Sequence, residues 1–317
     1  MKHFISHQSA LEYWRRSLML PGESADRRCK VALPDRPVEV EPHTFSGFTL
    51  PAHIMIGDRG ARQRSEIIKQ HLFSGETPVG CFMNIGDERM VSSPEFCFLQ
   101  MAERFTLVEL IELGYELCGG YSLPLEEDPD IPERGFYNRR PLTSVNKLKG
   151  FLESTPGVKE YRKAKRAVHY MLDGAVSPME TKLAIFLTLP FMLGGYGFDM
   201  PELNYRITLV KAARKNFNKD YYVCDIFWPD EKIGVEYDSD QQHTGSDRIA
   251  KDSKRRNALN SIGIRVVSVT KQQLHCPVEL ESVARTIAKH KNRRLFLNKS
   301  RFDKAHKELR KQLLRYL

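Results

Sequence analysis

The chain has 317 residues, 41% of them hydrophobic and 28% charged, with a formal net charge of +9 at pH 7, a length that suits two ordinary domains with their own cores. The longest apolar run, 183–198, is interrupted by Pro190, Gly194 and Gly195, and the first residues lack the apolar stretch of a secretory signal, so a cytoplasmic protein without a membrane partner is expected. Six cysteines with no C-x-x-C pair fit buried thiols in a reducing compartment better than a zinc or disulfide framework.

In chain order, the first expected element is a short helix over 9–17, where Leu11, Trp14 and Leu18 recur at helical spacing. Between Pro37 and Asp58, the alternation VEVE and the run HIMIGD predict short strands separated by Gly and Pro. Residues 93–121 read as two helices. Ser93 caps the first, with Pro94 at its first position and Glu95 just inside, an acid favoured there by the macrodipole; Gly119 and Gly120 end the second. The Pro-rich, mixed-charge span 122–144 reads as a loop or linker. That places an α+β domain over 1–150 and a second, α/β domain over 151–317, the latter opened by a basic helix at 159–173.

The segment SPMETKLAIFLTLPF predicts a helix over 178–193. Ser177 precedes Pro178, and Glu180 stands three residues past the Ser. That is capping-box spacing, in which Ser177 accepts from the Glu180 amide and the Glu180 carboxylate reaches back to the Ser177 amide. A strand at 205–210 comes next, then YYVCDIF (221–227) and KIGVEYD (232–238), joined by a WPDEK turn whose Pro229 suits a turn's second position. If the hairpin is centred between Asp230 and Glu231, facing residues have numbers that sum to 461. Asp225 then opposes Glu236, and the period-two rule puts Asp238 on the Glu236 face. Opposed like charges repel, and a hard divalent cation held by Asp225 and Glu236, Mg²⁺ or Mn²⁺, would offset them. The competing reading is a wet strand face whose carboxylates only solubilise, although apolar residues on both faces suit a strand buried on both sides. Helix 245–262, strand 264–270, helix 278–290 and a last helix at 302–316 complete the order. Lys251, Lys254, Arg255 and Arg256 form a basic patch, either a solvated face or a phosphate contact. In the last helix, Phe302, Ala305, Leu309, Leu313 and Tyr316 share one side, which predicts docking with an exposed basic edge.

The run DIFWPDEKIGVEYDSDQQHTGSDRIAKDSKRRNALNSIGIRVVSVT (225–270) resembles the PD-(D/E)XK nuclease superfamily, and within it the Vsr-like branch of small bacterial endonuclease-like domains. The matching positions are Asp225, Glu236, Asp238, His243, Asp252, Arg255, Leu259 and Gly263, and the resemblance spans about 177–274. It implies a restriction-endonuclease-like core, a mixed sheet flanked by helices, that hydrolyses DNA phosphodiester bonds in defence or repair. It also implies residue roles: Asp225 and Glu236 on Mg²⁺, Glu180 and Asp238 completing the acidic pocket, and His243 in proton transfer or leaving-group stabilisation. Lys254, Arg255 and Arg256 would meet phosphate. Three departures stand out. The superfamily's Lys two residues past the Glu is Asp238, the branch's Gly is Ser239, and His243 falls one residue further on than usual. ISHQSALEYW, LPAHIMIGD and MVSSPEFCFLQMAER are similar, with lower specificity, to the sensor-like region of AbiEi-type abortive-infection antitoxins.

Charge divides unevenly. Residues 1–150 hold 18 Lys+Arg against 21 Asp+Glu, 151–317 hold 31 against 19, and 251–317 alone hold 18 against 5. A basic half bearing an acidic cluster suits a site that meets a polyanion while holding a cation. DNA is therefore the expected partner, with RNA as the variant that the sequence does not separate from it. The rival class is a catalytically inactive nucleic-acid-binding regulator, antitoxin-like, acting as a homodimer or with a toxin-type partner. The missing Lys favours that class, and the retained carboxylates oppose it.

Overall fold

The computed structural model describes residues 2–17, 30–125, 131–133, 135–209, 220–238 and 246–315. The chain divides into two compact units, Met1–Met171 and Leu172–Leu317, so the boundary lies about twenty residues beyond the expected one. The reason is packing: the helices at Val145–Glu153 and Tyr161–Val168, the second of them the basic helix expected to open the second domain, pack in the first core.

The first unit runs β1 (His3–Ile5), α1 (His7–Arg16), β2 (Ala52–Ile56), β3 (Ile68–Leu72), β4 (Phe82–Gly86), β5 (Arg89–Ser92), α2 (Pro94–Met101), α3 (Leu107–Cys118), β6 (Tyr121–Ser122), β7 (Tyr137–Asn138), α4 (Val145–Glu153) and α5 (Tyr161–Val168). Its five-stranded mixed sheet has the order β3-β2-β1-β5-β4. HIMIGD supplies β2, but VEVE forms no strand: the Val38 carbonyl accepts from the Gln63 side chain at 2.9 Å, outside any ladder. The cap on α2 is as expected, Ser93 accepting from the Phe96 amide. The span 122–144 is more than a linker. Arg139 is buried and donates to the carbonyls of Trp14, Glu116 and Tyr121 at 2.7–2.9 Å, which ties the span to the first core. Five described cysteines are free thiols, four of them buried.

The second unit runs α6 (Pro178–Thr188), β8 (Glu202–Thr208), β9 (Tyr221–Trp228), β10 (Ile233–Asp238), α7 (Ser246–Ser261), β11 (Arg265–Thr270), α8 (Lys271–His275), α9 (Pro277–His290) and α10 (Lys299–Leu313). Its sheet has the order β11-β10-β9-β8. β8, β9 and β10 are antiparallel in turn, and β11 returns parallel to β10 after the α7 crossover. This is a mixed sheet flanked by helices. α6 is buried from Glu180 to Thr188, as a helix apolar all round must be, and packs on β9 and β10. Leu259 of α7 joins Ile207, Tyr222, Phe227 and Ile264 in a core cluster. α10 docks through Phe302, His306, Leu309 and Leu313, leaving Arg301, Lys304, Lys307 and Lys311 exposed; Tyr316 lies outside the described residues. Among those residues, no helix is long and apolar enough to cross a membrane.

Candidate functional site

The hairpin forms in the expected register. Ile233, Gly234 and Val235 pair with Trp228, Phe227 and Ile226, and each pair of numbers sums to 461. The turn closes from the Lys232 amide to the Pro229 carbonyl at 3.3 Å, so Pro229 is its first residue, not its second. The recorded ladder stops one step before Asp225 and Glu236. There the Asp225 carboxylate itself accepts from the Tyr237 amide at 2.9 Å, taking a place that a strand carbonyl would otherwise fill.

The two carboxylates have different surroundings. Glu236 on β10 is bound by the Arg255 guanidinium at 2.7 Å and by the Tyr222 hydroxyl, while Arg255 also lies over the Tyr222 ring, 4.4 Å from its centroid. This is a charge-assisted clamp between β9, β10 and α7. Among the described residues, no ion pair comparable to that of Glu236 reaches Asp225 on β9. Burial, and next the negative charge of Glu180, push its pKa up from 3.8 to about 6, against smaller opposing effects from the Tyr237 amide and Arg255. Desolvation and a like-charge neighbour both disfavour the ionised carboxylate.

Glu180 acts on Asp225 from the first turn of α6 through its charge. It is 7% exposed, and its carboxylate accepts from the Val176 amide at 3.1 Å, the Ser177 hydroxyl at 2.9 Å and the Asn204 amide nitrogen at 2.8 Å. Ser177 caps the helix by accepting from the Glu180 amide at 3.2 Å. The return bond of the expected capping box goes to the Val176 amide instead of the Ser177 amide, because the carboxylate also has Ser177 Oγ and Asn204 to satisfy. The carboxylate thus ties the start of α6 to β8, and its charge acts on Asp225.

Asp238, paired with Thr270 in the parallel ladder, is exposed at the end of β10; its charge helps raise the Tyr237 phenol. Arg256 is exposed on α7. His243 and the side chains of Asp252 and Lys254 lie outside the described residues. The structure therefore brings Glu180 within electrostatic reach of Asp225 and Arg255 onto Glu236. Among the described residues, no three of these carboxylates bring ligand oxygens within 4.8 Å of one another; the group that closes to that distance is His7, His71 and Glu103, in the first unit.

No family model, curated protein or solved structure matches this chain. Sequence reading missed the Tyr222 and Asn204 contacts, whose only signal is alternation within strands, and it missed the histidine cluster. His7, His53 and His71 come from three separated segments, and no spacing rule joins them. Burial and the neighbouring rings push His7 down to about 2, and mainly burial lowers His53 and His71 to about 4.

Proposed function

We propose that the second unit is a metal-dependent nuclease-like domain acting on DNA phosphodiester bonds. The observation that carries this reading is that two carboxylates from different elements, the buried Glu180 and the half-buried Asp225, stand close enough for the charge of the first to help raise the pKa of the second. The donor set is all hard oxygen, which fits Mg²⁺ or Mn²⁺. Asp225 would hold the ion with Glu236 and the Tyr237 carbonyl as candidate partners, and Glu180 and Asp238 would serve through water. A bound ion would supply charge to polarise phosphate and acidify water. Arg255 positions Glu236 and carries a positive charge facing the site, and Arg256 offers a phosphate contact on the same helix.

A second reading rests on the Glu236–Arg255 clamp at 2.7 Å. An ion-paired Glu236 is less free to take a metal, and no Lys stands at 238. Both features fit a nucleic-acid-binding regulator with an inactive nuclease-like site. The deciding experiment incubates purified protein with supercoiled plasmid in Mg²⁺ or Mn²⁺, beside Asp225→Ala, Glu236→Ala and an EDTA control. Nicking that requires metal and is abolished by both substitutions supports the nuclease. Plasmid that is bound but left intact supports the regulator.

A further inference from the structure

We propose that the first unit carries a transition-metal site of the zinc class, with His7, His71 and Glu103 as ligands and His53 as the residue that orients His71. The ligand atoms come from three parts of the fold: the start of α1, β3, and the turn just after α2. One atom of each lies within 4.8 Å of the other two. Two imidazoles and a carboxylate suit zinc-like ions and not Mg²⁺. The site is independent of the acidic pair in the second unit.

Hydrogen bonds around the rings select the free nitrogens. His71 Nε2 lies 3.1 Å from His53 Nδ1, and His7 Nδ1 lies 3.0 Å from Ser6 Oγ. With those two nitrogens protonated and donating, the lone pairs left over are on His71 Nδ1 and His7 Nε2. Metal-bound histidines characteristically hold their second nitrogen in this manner. Glu103 divides its oxygens in the same way. Oε1 receives the Lys159 ammonium at 2.5 Å, while Oε2 stands 3.9 Å from His7 Nε2. That separation is too long for a hydrogen bond and only slightly wider than the ~3.4 Å between neighbouring ligands of a tetrahedral zinc ion.

The backbone and the neighbouring cleft point the same way. His7 has a φ of +49°, a left-handed conformation unusual for a residue other than glycine. It is fixed there by its amide, which donates to Gln100 Oε1 at 2.9 Å. The rings of His7 and His71 stack 3.6 Å apart at 15°, so a shared ion would open that angle until both lone pairs converge. A cleft of about 320 Å³ is lined by all three ligands and by Gln100. Gln100 is 7% exposed, and its Nε2 is buried with no hydrogen-bond partner among the described residues. Three protein ligands beside an open cleft are the arrangement of a zinc site with a free coordination position. The orphaned amide is a donor for a water or anion held there.

The test is direct. Full-length protein freed of metal by chelator is titrated with Zn²⁺ by calorimetry and with Co²⁺ by visible absorption. One equivalent at micromolar affinity or tighter is expected, with d–d bands from Co²⁺. Glu103→Gln and His71→Asn should each weaken binding at least about tenfold, and His53→Asn about 10- to 100-fold. Asp225→Ala should leave this binding unchanged whatever it does to nuclease activity. Glu103 is partly exposed, at 43% of its side chain, so Glu103→Gln decides the question should a histidine variant fail to fold. Absence of Co²⁺ or Zn²⁺ binding by folded wild type, or wild-type affinity in folded Glu103→Gln, would overturn the site.

Discussion

Asp225 is the residue on which the acidic site turns, and its chemistry makes a prediction about stability. Its folded pKa of about 6 lies above its ordinary 3.8, so folding favours the protonated form. The associated stability is full below pH 3.8 and is lost as pH rises through about 6. At pH 7 the ionised side chain is a liability that the fold retains. In EDTA at pH 7, Asp225→Asn is expected to raise unfolding stability by about 1–3 kcal/mol. The gain should vanish near pH 4, as denaturant titrations at the two pH values will show. A substitution that destabilises equally at both would count against a strained carboxylate pair. The nuclease resemblance placed Glu180 in the acidic pocket, but the raised pKa was not legible in the sequence. Sequence reading opposed Asp225 to Glu236, whereas the pKa is set by burial and by Glu180, from a helix more than forty residues earlier.

The elements that carry the site were largely readable, because each is written in local chemistry. The hairpin register followed from turn position and strand period, and the α6 cap from Ser177, Pro178 and Glu180. Ser177→Ala removes the acceptor for the Glu180 amide and the hydroxyl that donates to its carboxylate. It should cost about 1 kcal/mol, measurable as a lower denaturation midpoint with an unchanged denaturant slope. Gly234 marks what local chemistry leaves out. A Cβ there would lie 2.6 Å from Cys224 Sγ, so β9 and β10 approach closely just before Asp225 and Glu236. Gly234→Ala is predicted to destabilise by about 1–3 kcal/mol through overpacking. A thermal scan showing no loss would mean that the strands have slack at that point. VEVE failed as a strand for the complementary reason: alternation proposes a strand, but a neighbouring strand must be available to pair with it.

For the whole molecule, the unit boundary sharpens the charge argument. Residues 172–317 hold 26 Lys+Arg against 17 Asp+Glu, so the whole +9 excess resides in the second unit, and residues 1–171 balance. If that unit binds nucleic acid through phosphate, affinity should fall linearly in log–log terms as salt rises. Arg256→Ala should weaken binding to all sequences alike and lower the salt slope by about 1; fluorescence anisotropy at several salt concentrations measures both. A salt-independent affinity would argue against a phosphate contact. The sequence by itself determined the α/β order of the second unit, its hairpin register, the Ser177 cap of α6 and its basic balance, because periodicity, turn residues and charge are local properties. Only the tertiary structure decided where the first unit ends, that Glu236 is taken by Arg255 and Tyr222, that Asn204 and the Val176 amide hold Glu180, and that His7, His53 and His71 meet. Those outcomes depend on which distant side chains packing brings within a few ångströms, a distance that no spacing along the chain encodes.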